Sequence, residues 1–180
     1  MVTLSRAAYA QSALSFASLL LGIVLVLQAS SLGYAMPLLL GAQALKFLSA
    51  IALGLCVRRA PLSIERPGAT LIGLTCGVAA VVVLAGAAST GLYAILTAQP
   101  ALATPVAWLG FISLALTGVW VLTVLSAGAL PLGRWSRIVG LLFAASAILA
   151  LLVLALGLFA ALAGIVWWVL LGREAARSGR

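Results

Sequence analysis

The sequence predicts an all-α integral membrane protein: a bundle of six transmembrane helices in three hairpins, with the N and C termini cytoplasmic and five spans as the rival count. Three observations carry that expectation. Of 180 residues 66% are apolar and only 7% charged, against roughly 45–50% and 25% in a soluble domain. The charges are clustered, and the apolar stretches between the clusters have the lengths that bilayer crossings need. Tryptophans and tyrosines collect near the expected helix ends, where their amphipathic rings favour the interface.

The charges are Arg6, Lys46, Arg58, Arg59, Glu65, Arg66, Arg134, Arg137, Arg173, Glu174, Arg177 and Arg180. Lys46 aside, they form four groups separated by stretches 7–57, 67–133 and 138–172. A span takes about 20 apolar residues for a hydrocarbon core of about 30 Å. Basic residues in short loops stay cytoplasmic, so each stretch crosses the membrane an even number of times. The first stretch then holds helices at 9–29 and 36–57, and the second holds helices at 69–94 and 105–128. The outer connections, Ser30 to Pro37 and Thr97 to Pro105, are short and uncharged.

The third stretch is the tightest. One straight helix over 138–172 would be about 52 Å long, too long for a single crossing without extreme tilt. A hairpin fits if helix five starts near Leu132 with Arg134 and Arg137 snorkelling. Its helices cover 134–156 and 158–175 and turn near Gly157. The five-span alternative leaves Arg173, Arg177 and Arg180 outside, against the charge rule. All of 1–180 reads as one transmembrane domain, with the first apolar run a retained helix, since Leu-Gln-Ala-Ser at its end is a poor cleavage site.

The aromatics agree with that layout. Tyr9 and Trp135 fall at inner ends, Tyr34, Tyr93 and Trp108 at outer ends, and the Trp167–Trp168 pair where an inner belt belongs. Trp120 falls inside helix four and reads as a packed core tryptophan. Cys56 and Cys76 differ in expected depth by more than a disulfide permits. The segment from Arg58 to Gly68 is a cytoplasmic connector. Three similar tripeptides, Leu20–Gly22, Leu71–Gly73 and Ile138–Gly140, are unequally spaced and establish no repeat.

Small and polar residues recur at helical spacing: Gln11, Ser15, Ser18 and Gly22; Thr70, Gly73, Gly77 and Ala80; Gly110, Ser113 and Thr117; Gly140, Ala144 and Ala147. Lipid tails are as apolar as leucine, so helices in a bilayer associate through close packing at small residues and through hydrogen bonds. These stripes mark the expected inside of the bundle. Lys46, the only lysine, falls near the middle of helix two, where a charge costs about 2.5–3.5 kcal/mol to insert. Gln43 and Ser49 share its face. A polar pocket between helices one and two is therefore expected, built from Lys46, Gln43, Ser49, Ser18, Ser15 and Gln11. Neither glutamate belongs to an expected span, so Lys46 has no internal carboxylate partner. That leaves an uncharged amine hydrogen-bonded to Gln43 or Ser18, an anionic or carbonyl-bearing solute, a carboxylate of another subunit, a lipid phosphate, or a tilted helix that lets the side chain snorkel.

The missing residues narrow the function. The sequence has no histidine and no aspartate, which removes Ser-His hydrolysis, histidine-ligated metal or haem and the carboxylate proton relay of pumps. No enzyme, cofactor or metal centre is expected. The net charge of +8 sits beside helix ends, where it sets topology and attracts anionic headgroups, so it implies no nucleic-acid partner. Candidate headgroup contacts are Arg58, Arg59, Arg66, Arg134 and Arg137. The expected partners are the lipid bilayer, anionic lipids and another membrane protein subunit. Nine arginines to one lysine, with abundant Ala, Leu and Gly, fit a GC-rich bacterial genome and the bacterial cytoplasmic (inner) membrane. The sequence reads first as a non-catalytic scaffold or accessory subunit packing against other membrane proteins, and second as a small permease or solute-binding unit using the Lys46 pocket.

Overall fold

The computed structural model describes residues 3–27, 35–60, 67–127 and 132–179. Expectations for Tyr34, Glu65, Arg66 and Arg180, and for the connection at 28–34, lie outside the described residues. The described chain is helical without a strand: α1 (Leu4–Leu27), α2 (Ala35–Arg59), α3 (Pro67–Leu96), a single 3-10 turn (Pro100–Leu102), α4 (Ala103–Ala127), α5 (Arg134–Leu149) and α6 (Leu156–Arg177). Five of these helices, all but α5, are long and apolar enough to cross a membrane. The chain is a multi-pass, membrane-spanning type of protein.

The six helices close a ring. Each packs on its neighbours in sequence, and α6 returns to pack on α1. Neighbours run antiparallel, as the facing residues show. The Ser12 hydroxyl on α1 donates to the Ile165 carbonyl on α6 at 3.1 Å, and Tyr9 lies on Gly172 three α1 residues earlier. Val57 and Trp120 both press on Gly77, and Thr123 on Gly73. One end of the ring therefore collects the start of α1, the end of α2, the start of α3, the end of α4, the start of α5 and the end of α6. Every charged residue described, Lys46 excepted, lies at this end: Arg6, Arg58, Arg59, Arg134, Arg137, Arg173 and Arg177 are exposed. Glu174 accepts from the Ser136 hydroxyl at 3.3 Å and stands 4.0 Å from Arg177.

Toward the charged end the ring is solid. Leu4, Ala7 and Ala8 of α1 meet Leu53, Cys56 and Val57 of α2, Val121 and Val124 of α4, and Leu171 and Ala175 of α6. Trp120, Trp167 and Trp168 fill the middle. Trp168 stacks on Trp120 at 5.8 Å between ring centroids, and Trp167 stacks on Phe143 at 6.1 Å. Trp167 and Trp168 meet edge to face at 4.8 Å. The Trp167–Trp168 pair is thus not an interfacial belt, as the sequence implied. Trp167 is fully buried and Trp168 nearly so, because α6 turns both rings inward, Trp167 onto Gly140 and Trp168 onto Trp120. Trp120 is a core residue as read. Cys56 and Cys76 are both free.

Three of the four small-residue stripes face inward. Ala80, Ala144 and Ala147 are fully buried, and a Cβ on Gly140 would come within 2.5 Å of Trp167 Nε1. The α1 stripe fails at its far end, where Gly22 is exposed and has nothing within 4 Å. From Ala13 onward α1 has no buried residue.

The last hairpin differs from the expected one. Its turn runs through 150–155, before Gly157 instead of at it. Gly157 serves packing: a Cβ there would lie 2.8 Å from Phe111 of α4. The turn is made without glycine or proline, by a run of short-range bonds that includes Leu152 N–H to the Leu149 carbonyl and Leu156 N–H to the Val153 carbonyl, both at 2.9 Å. It leaves α5 with 16 residues, about 24 Å, where α3 has 30, about 45 Å.

Candidate functional site

Toward the uncharged end the ring is hollow. A chamber of about 540 Å³ occupies its centre, with walls from all six helices. Gln11, Ser15 and Ser18 come from α1, Lys46 and Ser49 from α2, and Gly110, Ser113 and Thr117 from α4. Leu19, Leu53, Leu84, Phe111, Leu114, Ala160, Ala161 and Gly164 supply apolar wall, and Phe143 and Trp168 bring the aromatic core to the chamber. A cavity of this size matches ligand pockets, which run about 300–1,000 Å³ and combine an apolar lining with a few placed polar groups.

A second cavity, about 820 Å³, lies nearer the uncharged end between α2, α3 and α4. Met36, Leu39, Gln43, Gly91, Ala94, Gln99, Pro100 and Val106 are among its lining residues. Lys46 lines both cavities. It is twelve residues from Arg58, about 18 Å along the helix, so it belongs to the middle of α2 as expected.

Five of the six candidate pocket residues, Lys46, Ser49, Ser18, Ser15 and Gln11, line one chamber. The expectation needs two corrections. The pocket is the centre of the ring, enclosed by α4, α5 and α6 as well, because α1 and α2 turn their polar faces to the axis. Gln43 is the residue left out: it lies against Gly91 of α3 and lines the second cavity. The absent side chain at Gly91 lets the Gln43 amide rest on the α3 backbone.

The polar inventory of the chamber is uneven. On α4 the Ser113 hydroxyl donates to the Ala80 carbonyl and the Thr117 hydroxyl to the Ser113 carbonyl, each at 2.8 Å. Their protons are committed and only lone pairs remain for a guest. Gln11 is 7% exposed, and its Oε1 has no hydrogen-bond partner among the described residues. Gln43 Oε1 is in the same position at the second cavity. A buried polar atom left unpaired costs about 1–3 kcal/mol, so both amides are suited to a guest or ordered water. Among the described residues no carboxylate lines either cavity. Among the described residues no three of His, Cys, Asp and Glu come together.

The chamber wall from α4 is what sequence reading missed. Gly110, Ser113 and Thr117 were legible as a stripe, yet a stripe that packs and a stripe that lines a cavity have the same spacing. The discriminating detail is Gly110, which meets nothing within 4 Å. Of the candidate headgroup contacts, Arg58, Arg59, Arg134 and Arg137 are exposed at the charged end.

Neither any protein-family model nor any curated protein or solved structure matches the chain.

Proposed function

We propose that the protein is a multi-pass component of the bacterial cytoplasmic membrane that binds a small anionic or carbonyl-bearing solute in the central chamber, as a permease or solute-binding unit. The observation that carries this reading is the position of Lys46. The one lysine lines both cavities, and among the described residues no carboxylate lines either. An intramembrane cation is costly and calls for a counter-group, and an anionic guest supplies it.

The same reading places the six helices as three hairpins with the charged end and both termini cytoplasmic, as basic flanks require. It leaves Arg58, Arg59, Arg134 and Arg137 to meet anionic headgroups. The protein acts without catalysis, since the chamber offers no general acid or base beyond a lysine. The scaffold reading has weaker support. Large exposed apolar side chains occur on all six helices, as contact with lipid requires, and mark no single face for a partner.

The test is native mass spectrometry of the protein purified in lipid nanodiscs, beside Lys46→Met. A small molecule bound to the wild type and lost, by about tenfold or more in occupancy, from a folded Lys46→Met protein is the expected result. Equal occupancy in the two proteins, or a stoichiometric protein partner with an empty chamber, overturns it.

A further inference from the structure

The chamber has a low side, and its level can be read from the packing. Gly118 of α4 faces Ala144 and Ala147 of α5, at 3.0 Å and 3.1 Å from a Cβ built at Gly118. Leu149, the last residue of α5, is then level with about residue 114 of α4, and the remaining eleven or so residues of α4 rise ~16 Å beyond it. On the other flank Ser12 bonds Ile165, so the first residue of α6 is level with about residue 21 of α1. Some six residues of α1 rise ~9 Å higher. Between α1 and α4 the wall of the ring is therefore a sill formed by the α5–α6 turn.

The chemistry of the sill says what lies outside it. From Ala147 to Val166 the sequence has no polar side chain. Leu152, at the turn, is 82% exposed. The turn closes on its own backbone, Val153 N–H to the Leu149 carbonyl and Gly157 N–H to the Leu154 carbonyl, both at 2.9 Å. Internal satisfaction of backbone groups is what hydrocarbon demands and water does not. A turn at the water interface has no reason to be wholly apolar. Just past the sill, Ala160, Ala161 and Gly164 line the chamber itself, with the Phe111 ring of α4 lying against Gly157 beside them.

We infer that the chamber is loaded sideways from the bilayer, and that its ligand is a single-chain amphiphile with one anionic headgroup. The inference rests on the proposed solute-binding role of the chamber and names the class of solute. The headgroup sits at Lys46, and the alkyl chain passes over Ala160, Ala161 and Gly164 into the lipid. One lysine without a carboxylate matches one negative charge. A wall that is mostly apolar matches a chain, not a strongly hydrated ion, which would arrive through water.

The test uses the full chain in nanodiscs of zwitterionic lipid and a palmitate carrying a diazirine on its chain as the probe. The expected crosslinks fall on 150–161 and on the facing part of α4 around Ala107–Phe111. They fall about tenfold or more in Lys46→Met and are competed by dodecanoate or by dodecyl phosphate, whichever headgroup the site prefers. Ala161→Phe, which narrows the step over the sill, loses the crosslink, and an unchanged crosslink in that variant overturns the route. Butyrate, too short to reach the sill, binds the unsubstituted protein and not Lys46→Met. Crosslinks on 150–161 that ignore Lys46→Met are lipid contact only and overturn the proposal. Crosslinks at Met36 and 94–100 overturn it too, by showing access from the second cavity. In both cases Lys46-dependent butyrate binding leaves the solute-binding role standing. Absence of Lys46-dependent binding at either chain length sinks both.

Discussion

The two halves of the ring are built from the same few residue types and reach opposite outcomes. At the charged end, glycines face aromatic rings: Gly77 beneath Trp120, Gly140 beneath Trp167, Gly172 beneath Tyr9. Each missing Cβ lets a large flat side chain settle against backbone, and dispersion contacts accumulate where the helices come closest. Toward the uncharged end, Gly157 still meets the Phe111 ring, but Gly110 meets nothing within 4 Å and lines the chamber together with Ser15, Ser18, Lys46 and Ser113. Without a ring to fill it, the same close-approach residue leaves a void. Whether a glycine in a membrane helix makes a contact or a cavity is decided by the residue on the facing helix.

Removing a ring from the solid half is the strongest way to break that contrast. Trp120 is fully buried between Trp167, Trp168 and Gly77, and truncating a buried tryptophan costs about 3–5 kcal/mol. Trp120→Ala is expected to unfold at markedly lower temperature in detergent, followed by the fluorescence of the remaining tryptophans. Its indole N–H has no partner among the described residues, so Trp120→Phe should recover most of the loss. If Trp120→Ala unfolds like the wild type, the aromatic cluster is not what holds this half together.

A paired substitution sharpens the comparison at lower cost. Gly140→Ala places a methyl within 2.5 Å of Trp167 Nε1 and 2.8 Å of its Cδ1, and overpacking of this kind costs about 1–3 kcal/mol. Gly110→Ala has open space and should be neutral or slightly stabilising, since alanine is the better helix former by about 1 kcal/mol. Thermal unfolding of the two proteins should separate them clearly. Equal destabilisation would mean that the hollow half is not hollow at Gly110.

How much of this was legible in the sequence follows the same division. The clustering of charge placed the helices to within a few residues in α2, α3 and α4, because bilayer thickness and charge exclusion act on each helix alone. The polar faces of α1 and α2 likewise announced the chamber through spacing. What stayed hidden depends on two helices at once. Gly157 read as a turn because glycine commonly is one, and only the presence of Phe111 on α4 shows why it sits inside a helix. Trp167 and Trp168 read as interfacial because of Arg173 nearby, and only the inward rotation of α6 buries them. Gln43 shares the face of Lys46, yet Gly91 on α3 draws it to the other cavity.

The smallest expected effect is at the uncharged end of α3, the edge of the hollow half. The helix closes with Gln99 N–H bonded to the Ala94 carbonyl at 2.9 Å and Ala98 N–H to the Ile95 carbonyl at 3.3 Å, the paired bonds of a Schellman cap. That cap needs a left-handed residue, usually glycine, yet here Ala98 holds it with φ +52°. An L-residue pays about 1–2 kcal/mol for that conformation, and glycine returns part of the gain as extra chain entropy when unfolded. Ala98→Gly should therefore stabilise by about 0.5–1 kcal/mol, read as a small rise in the unfolding temperature. Ala98 also lines the second cavity, but neither Ala nor Gly adds a polar group there, so binding at Lys46 should not change. A fall in stability would show that the end of α3 does not hold the left-handed cap, and that this rim of the cavity is shaped by the Pro100–Leu102 turn instead.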